Sequence, residues 1–222
     1  MFAERKDMNT HAFCIANRGR AAHAQRANER HEGSFCMRGA VLGFLLFVIP
    51  ATAYPDPIEV KANVCGGCHG TKGRPIEKTI PIIWGQSAGY LYLQLRDFQK
   101  GARANAAMSV IAHDVVRDDA LEFAQYFAAK PWPRTDAPQA SPADAATSAT
   151  LDKSVPCRTC HFTDFKGDSS VPRLAGQQHD YLLKTLMDFR NHTRANNPSM
   201  SDLMNSVTPE QIEAMASYLA GL

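Results

Sequence analysis

Two stretches of the chain share one apolar spacing. Leu91, Leu95 and Phe98 in the first half, and Leu182, Leu186 and Phe189 in the second, are each separated by four and then three positions. That spacing puts each trio on one face of an α-helix. The two trios lie 91 positions apart, and the match extends backwards: IPIIWGQ at 80–86 aligns with VPRLAGQ at 171–177, and Tyr90-Leu91 with Tyr181-Leu182. Further on, Ala124 and Tyr126-Phe127 align with Ala216 and Tyr218-Leu219 at an offset of 92. Self-similarity of this kind predicts two copies of one small domain. The last helix has an explicit start. Thr208 stands at the cap, Pro209 at the first helical position, and Gln211 where a capping box places it. Neither copy contains a convincing strand. The pattern predicts an all-α fold, each copy reading helix, loop, helix, loop, helix.

Residues 131–150 break the pattern. They begin Pro-Trp-Pro-Arg and continue in Ala, Pro, Ser, Thr and Asp, without apolar periodicity. They read as a Pro/Ala-rich linker on an extended path, between a first domain at 54–130 and a second at 151–222.

A different apolar run, AVLGFLLFVI at 40–49, follows Arg38 and precedes Ala51-Thr52-Ala53. A basic start, a short apolar core and an A-x-A site describe a secretory signal peptide at 37–53, with Tyr54 as the mature N-terminus. Residues 1–36 are too long and too polar for the start of such a leader. Met37 stands immediately before it, so translation is expected to begin there, with 1–36 an over-extended reading frame. Cys14 and Cys36 then have no role.

The leader alters the charge balance. The chain holds 24 basic and 22 acidic residues, a net charge of +2. Seven of the basic and four of the acidic residues lie in 1–53, which leaves 17 and 18, or −1. The basicity belongs to the removed segment, so nucleic-acid binding has no support.

The candidate chemistry is concentrated in two pentapeptides, Cys65-Gly66-Gly67-Cys68-His69 and Cys157-Arg158-Thr159-Cys160-His161, 92 positions apart. Cys-x-x-Cys-His is the attachment pattern of a c-type haem. Two thiols one helical turn apart each bond a vinyl group, and the adjacent imidazole ligates the iron. A zinc ribbon spaces its cysteine pairs about 15–20 residues apart, which these pairs far exceed. A redox dithiol wants a strand before it, and none is seen. Adjacent Cys-x-x-Cys pairs rarely serve as structural disulfides. Two covalently attached haem c groups are therefore expected, held by Cys65, Cys68, Cys157 and Cys160, with His69 and His161 on the irons. A domain of about 80 residues buries little surface alone, and a haem supplies the missing core. Covalent haem attachment on the outer face of a bacterial inner membrane agrees with export.

A six-coordinate electron-transfer haem needs a ligand opposite the histidine. Met108 lies 39 residues after His69, and Met200 lies 39 after His161. The equal spacing selects this pair. Met204 is the alternative in the second copy, one turn on. Met187 and Met215 fall within helix periodicity and read as core fillers. His113, His179 and His192 have no counterparts in the repeat, so they are weaker candidates. Trp84 and Tyr90 read as packing or propionate contacts rather than redox relays.

The two Cys-x-x-Cys-His motifs, the Pro-x-x-x-Gly-Gln-x-x-x-Tyr-Leu segment of each half and the late Met of each half together resemble the cytochrome c4 family. The resemblance covers essentially all of 54–222. It implies two tandem class I cytochrome c domains related by a pseudo-twofold axis, with haem edges facing each other across the interface. It implies that the carbonyls of Pro81 and Pro172 accept the second N–H of His69 and His161. It also implies a periplasmic electron carrier, not an enzyme, either soluble or peripherally attached to the inner membrane. Its donor would be a membrane quinol-oxidising complex and its acceptor a haem-copper oxidase. The rival roles are the cytochrome subunit of a periplasmic dehydrogenase such as flavocytochrome c sulfide dehydrogenase, with a flavoprotein partner, or a di-haem peroxidase or thiosulfate-oxidising cytochrome. The last of these needs an open or unusually ligated iron.

Overall fold

The computed structural model describes residues 57–222. The extension at 1–36 and the leader at 37–53 lie outside the described residues. In the first half, α1 (Pro57–His69) ends in the first Cys-x-x-Cys-His motif, followed by α2 (Ala88–Gln99), α3 (Ala106–His113) and α4 (Arg117–Ala128). Helix α2 packs against α3 and α4, and α1 against α4. In the second half come α5 (Pro142–Ser154), α6 (Cys157–His161), α7 (His179–Arg190), α8 (Pro198–Met204) and α9 (Pro209–Ala220). Helix α7 packs against α8 and α9. Among the described residues no strand forms, only an isolated bridge between Asp168 and Val171.

The repeated trios face inward as their spacing requires. Phe98, Leu182, Leu186 and Phe189 are buried, and Leu91 and Leu95 pack against Phe123 and Phe127. Helix α9 starts on the capping box: the Thr208 hydroxyl accepts from Gln211 N, and the Gln211 side chain accepts from Thr208 N. Two short helices, α3 and α8, occupy what reads as loop in the sequence. Asn105 and Asn197 cap them, accepting from Met108 N and Met200 N at 3.0 and 3.3 Å. Each carries a single apolar i, i+3, i+4 set, Met108-Ile111-Ala112 and Met200-Leu203-Met204, too short a run to mark a helix without its cap.

The extended linker is shorter than its composition suggests. Residues 142–150 belong to α5, and the boundary expected at 150/151 falls inside that helix. Ser141 caps it by accepting from Asp144 N, and Pro142 occupies the first turn. The helix packs on α9 mainly through Leu151 and small residues, so little apolar periodicity shows in the sequence. Buried Ser148 donates to Ala214 O at 3.1 Å. The α5–α6 break has a local cause. Val155 precedes Pro156 and is pushed to φ −120°, ψ 102°, out of the helical region. The residue of α1 aligned with Pro156 is Val64, and α1 runs through unbroken.

The halves join through bonds that exchange one copy for the other. Gln86 accepts from Arg173 N at 2.7 Å and donates to Arg173 O at 3.0 Å. Gln177 accepts from Ile82 N at 2.8 Å and donates to Ile82 O at 3.0 Å. Ile82 and Arg173 are themselves repeat partners. Tyr90 N donates to Ser169 O and Tyr181 N to Lys78 O, again 91 positions apart. The glycine before each glutamine takes positive φ, 67° at Gly85 and 72° at Gly176. A Cβ at Gly85 would stand 2.9 Å from Trp132 N, so only glycine admits both the turn and the connecting strap beside it.

Candidate haem-binding site

A cavity of about 1190 Å³ runs between the elements that carry both motifs. All eight sequence-derived site residues line it: Cys65, Cys68, His69 and Met108 from the first half, Cys157, Cys160, His161 and Met200 from the second. In each half the motif helix brings two thiols and an imidazole to the wall, and a short capped helix brings a thioether. None of the four cysteines forms a disulfide. Burial pushes the thiols of Cys65 and Cys157 up from the ordinary cysteine value.

The imidazoles are buried and oriented alike. His69 Nδ1 donates to Pro81 O at 2.8 Å, and His161 Nδ1 donates to Pro172 O at 3.1 Å. A carbonyl can only accept, so each Nδ1 carries the proton and each Nε2 keeps its lone pair. Burial lowers the pKa of both rings, and the carbonyl bonds act in the opposite sense. A neutral, pinned imidazole of this kind is a metal ligand in waiting. Two thiols, one such imidazole and one thioether on an apolar cavity wall form a donor set that fits a covalently attached haem in each half.

The comparisons with known proteins agree. Residues 145–222 match the family model described as Cytochrome c. The cytochrome c4 of Thiocapsa roseopersicina is 34% identical over 186 residues, covering 78% of this chain and 95% of that protein. The chain belongs to the cytochrome c4 family. The crystal structure of reduced recombinant cytochrome c4 from Pseudomonas stutzeri superposes with a TM-score of 0.67 at 29% identity, covering 74% of this chain and 96% of that one. A protein of Stutzerimonas stutzeri strain A1501 described as a thiosulfate dehydrogenase electron acceptor is 31% identical, over 72% of this chain and 80% of that protein. Like other cytochromes c4, this chain is a di-haem electron carrier with covalently bound haem c.

The remaining candidates separate by position. His113 pairs with Asp114 on an exposed face, His192 bonds Asn205, and His179 contacts Asp180 and Glu213; none of the three lines the cavity. Met204 does line it, yet it is 6% exposed and packs in the second core with Leu186 and Ile212. Its repeat partner is Ala112, which has no donor atom. Trp84 packs beside Leu91, Leu95 and Phe127, while Tyr90 joins a polar cluster at the junction of the halves.

That cluster is the part of the cytochrome c4 site that sequence reasoning missed. Arg103 donates to the Tyr181 hydroxyl at 3.1 Å, and Arg194, its repeat partner, to the Tyr90 hydroxyl at 3.3 Å. Both guanidiniums also reach Gln94 Oε1, at 2.8 and 2.9 Å. Asn196 ties Gln94 to the buried carboxylate of Asp97. Burial resists ionisation of Tyr181, but the two arginines outweigh it and hold the phenol well below its ordinary range. Burial and the adjacent Tyr181 push Tyr90 up instead. The available signal was the tandem recurrence of Gln, Tyr and Arg at one offset. Polar residues that recur at buried positions of a repeat mark a shared interface, not a solvated face.

Proposed function

We propose that the two halves hold one haem each, with His69 and Met108 on the first iron and His161 and Met200 on the second. Thioether links from Cys65 and Cys68, and from Cys157 and Cys160, fix the macrocycles. The observation that carries this reading is the paired geometry: each Cys-x-x-Cys-His motif, its Pro carbonyl bond and its capped Met recur on one cavity wall at nearly constant offset. A bound haem c supplies a one-electron couple, and the chain does the rest. The Pro81 and Pro172 carbonyls keep Nδ1 protonated, hold each ring at one angle and raise the basicity of Nε2. Met108 and Met200 would each supply a thioether to the bound iron, which would favour the reduced state relative to a second imidazole and leave no place for a substrate. Arg103 and Arg194, which line the cavity, would offset the carboxylates of a bound haem. The Gln86 and Gln177 clasps hold the two halves in one orientation, so electron exchange between them requires little rearrangement.

The protein is read as a periplasmic carrier, soluble or resting on the inner membrane, exported by the leader at 37–53. No helix among the described residues is long and apolar enough to cross a membrane. A membrane respiratory complex as donor and a haem-copper oxidase as acceptor fit a stand-alone carrier. The likeness to a thiosulfate dehydrogenase electron acceptor favours a periplasmic redox enzyme as a second class of donor. Redox-titrated visible absorption of the purified holoprotein tests the reading. Two one-electron low-spin transitions, and no carbon monoxide binding by the reduced protein, are expected. Ready carbon monoxide binding at one iron would return a catalytic role. Co-purification of a flavoprotein would move the protein to the role of dehydrogenase subunit.

A further inference from the structure

A second cavity, about 360 Å³, opens in the first half between α2, the end of α3 and the start of α4. Arg96, Lys100 and Arg117 line it together with Tyr92, and among the described residues no carboxylate does. Arg96 is already engaged by Asp97 at 2.9 Å. Arg117 lies 3.9 Å from exposed Asp118, and the lining thus retains an excess of positive charge.

The internal repeat shows that this cavity is not a requirement of the fold. In the second half the aligned positions carry large buried side chains. The two copies stay in register there, since Gln99 donates to Val115 O at 2.9 Å just as Arg190 donates to Val207 O at 2.8 Å. At the aligned positions the small Ala112 and Ala120 stand where the second half has Met204 and Ile212, which are 6% and 0% exposed. Arg96, Lys100 and Arg117 stand where it has Met187, Asn191 and Pro209. One copy thus gives up two large core side chains and gains three cations around the space they leave. The exchange trades buried apolar volume for positive charge around Ala112 and Ala120, which suits an anionic occupant.

We propose that this cavity binds a small divalent oxyanion of the sulfate or phosphate class, and that its occupancy tunes the first haem. Lys100 and Arg117, with the Tyr92 phenol beside them, suit a compact anion with several acceptor oxygens. Leu95, Arg96 and Val115 line both this cavity and the haem cavity, so the two share a wall. Negative charge on the far side of that wall stabilises the ferric state, and an occupied cavity lowers the midpoint potential of the first haem and not of the second.

The test titrates the holoprotein with sodium sulfate or sodium phosphate against sodium chloride at matched ionic strength. It follows both midpoint potentials and the thermal unfolding temperature. A saturable fall in one midpoint and a rise in unfolding temperature are expected, since a ligand of the native state stabilises it. Lys100→Gln with Arg117→Gln should weaken the apparent affinity at least about tenfold, as loss of charged hydrogen-bond donors implies. Both side chains lie off the haem cavity, so the visible spectrum should not change. Ala112→Met, which copies the second half, should remove the response, and if it fails to fold the double variant decides alone. A response equal to that of chloride, one that does not saturate, or one that survives the double variant overturns the proposal.

Discussion

At the scale of single residues, the chemistry rests on atoms whose partners leave them one role. The proton on His69 Nδ1 is held by Pro81 O at 2.8 Å, so Nε2 is the only ring nitrogen able to take iron. The proposed sixth ligands are equally constrained, by caps that place Met108 and Met200 at the third position of short helices. Met108→His should keep the first iron six-coordinate and lower its midpoint potential by on the order of 100 mV or more, because axial ligands span roughly 0.8 V. Met200→His should do the same to the second haem. Met204→Leu should leave the near-infrared iron–thioether band of the oxidised protein intact. Loss of that band at the second haem on Met204→Leu, with retention on Met200→Leu, would reverse the assignment. Cys65→Ala should weaken attachment of the first haem alone. After denaturation and solvent extraction the wild-type chain should retain two haems and this variant one stably bound, and loss of both would contradict independent sites.

Helices and their connections show where local signals succeed and fail. The motif at 208–211 announced α9 because a capping box, a Pro at the first helical position and an apolar period all agree there. Residues 142–150 of helix α5 read as linker in the sequence because, Leu151 apart, the helix meets α9 with Ala-sized and hydroxyl side chains, which leave no period. Its contribution is nevertheless structural. Leu151 is 4% exposed within the second core, and Leu151→Ala should lower unfolding stability by about 2–5 kcal/mol. Denaturant titration of the holoprotein measures this, with exposed Gln139→Ala as a control expected within about 0.5 kcal/mol of wild type. A loss below about 1 kcal/mol for Leu151→Ala would mean that α5 is peripheral and that the domain begins near residue 151, as composition suggests.

For the molecule as a whole, the two halves are held by a clasp that neither copy contains alone. Gln86→Leu removes both bonds to Arg173 and the one from Ser87 N, and leaves the N–H of Arg173 without its partner, at a cost of about 1–3 kcal/mol. Gln177→Leu should cost about the same at Ile82. The pair acts on one interface, so the double variant should depart from additivity, and it should slow electron equilibration between the haems after rapid partial reduction. Strict additivity with unchanged equilibration would show that the clasp is not what orients the halves.

The helical period, the two attachment motifs, the equal His-to-Met spacing and the doubled Gly-Gln segment were all legible along the chain. These are local or repeated signals: a period follows from helix geometry, and a thiol pair one turn apart follows from the macrocycle it must reach. The all-α class, the two halves and the candidate ligands are read from them. What the glutamines, tyrosines and arginines of the repeat do was settled only when two copies met face to face. Only then did a side chain from one half find a backbone from the other, 87 or 95 positions away in sequence. Composition likewise could not distinguish the helix at 142–154 from a linker, since its stability comes from α9. Nor could it show that Ala112 and Ala120 line a cavity edged by cations, where the second half buries Met204 and Ile212. A small residue reveals nothing about the space beside it until its neighbours are packed.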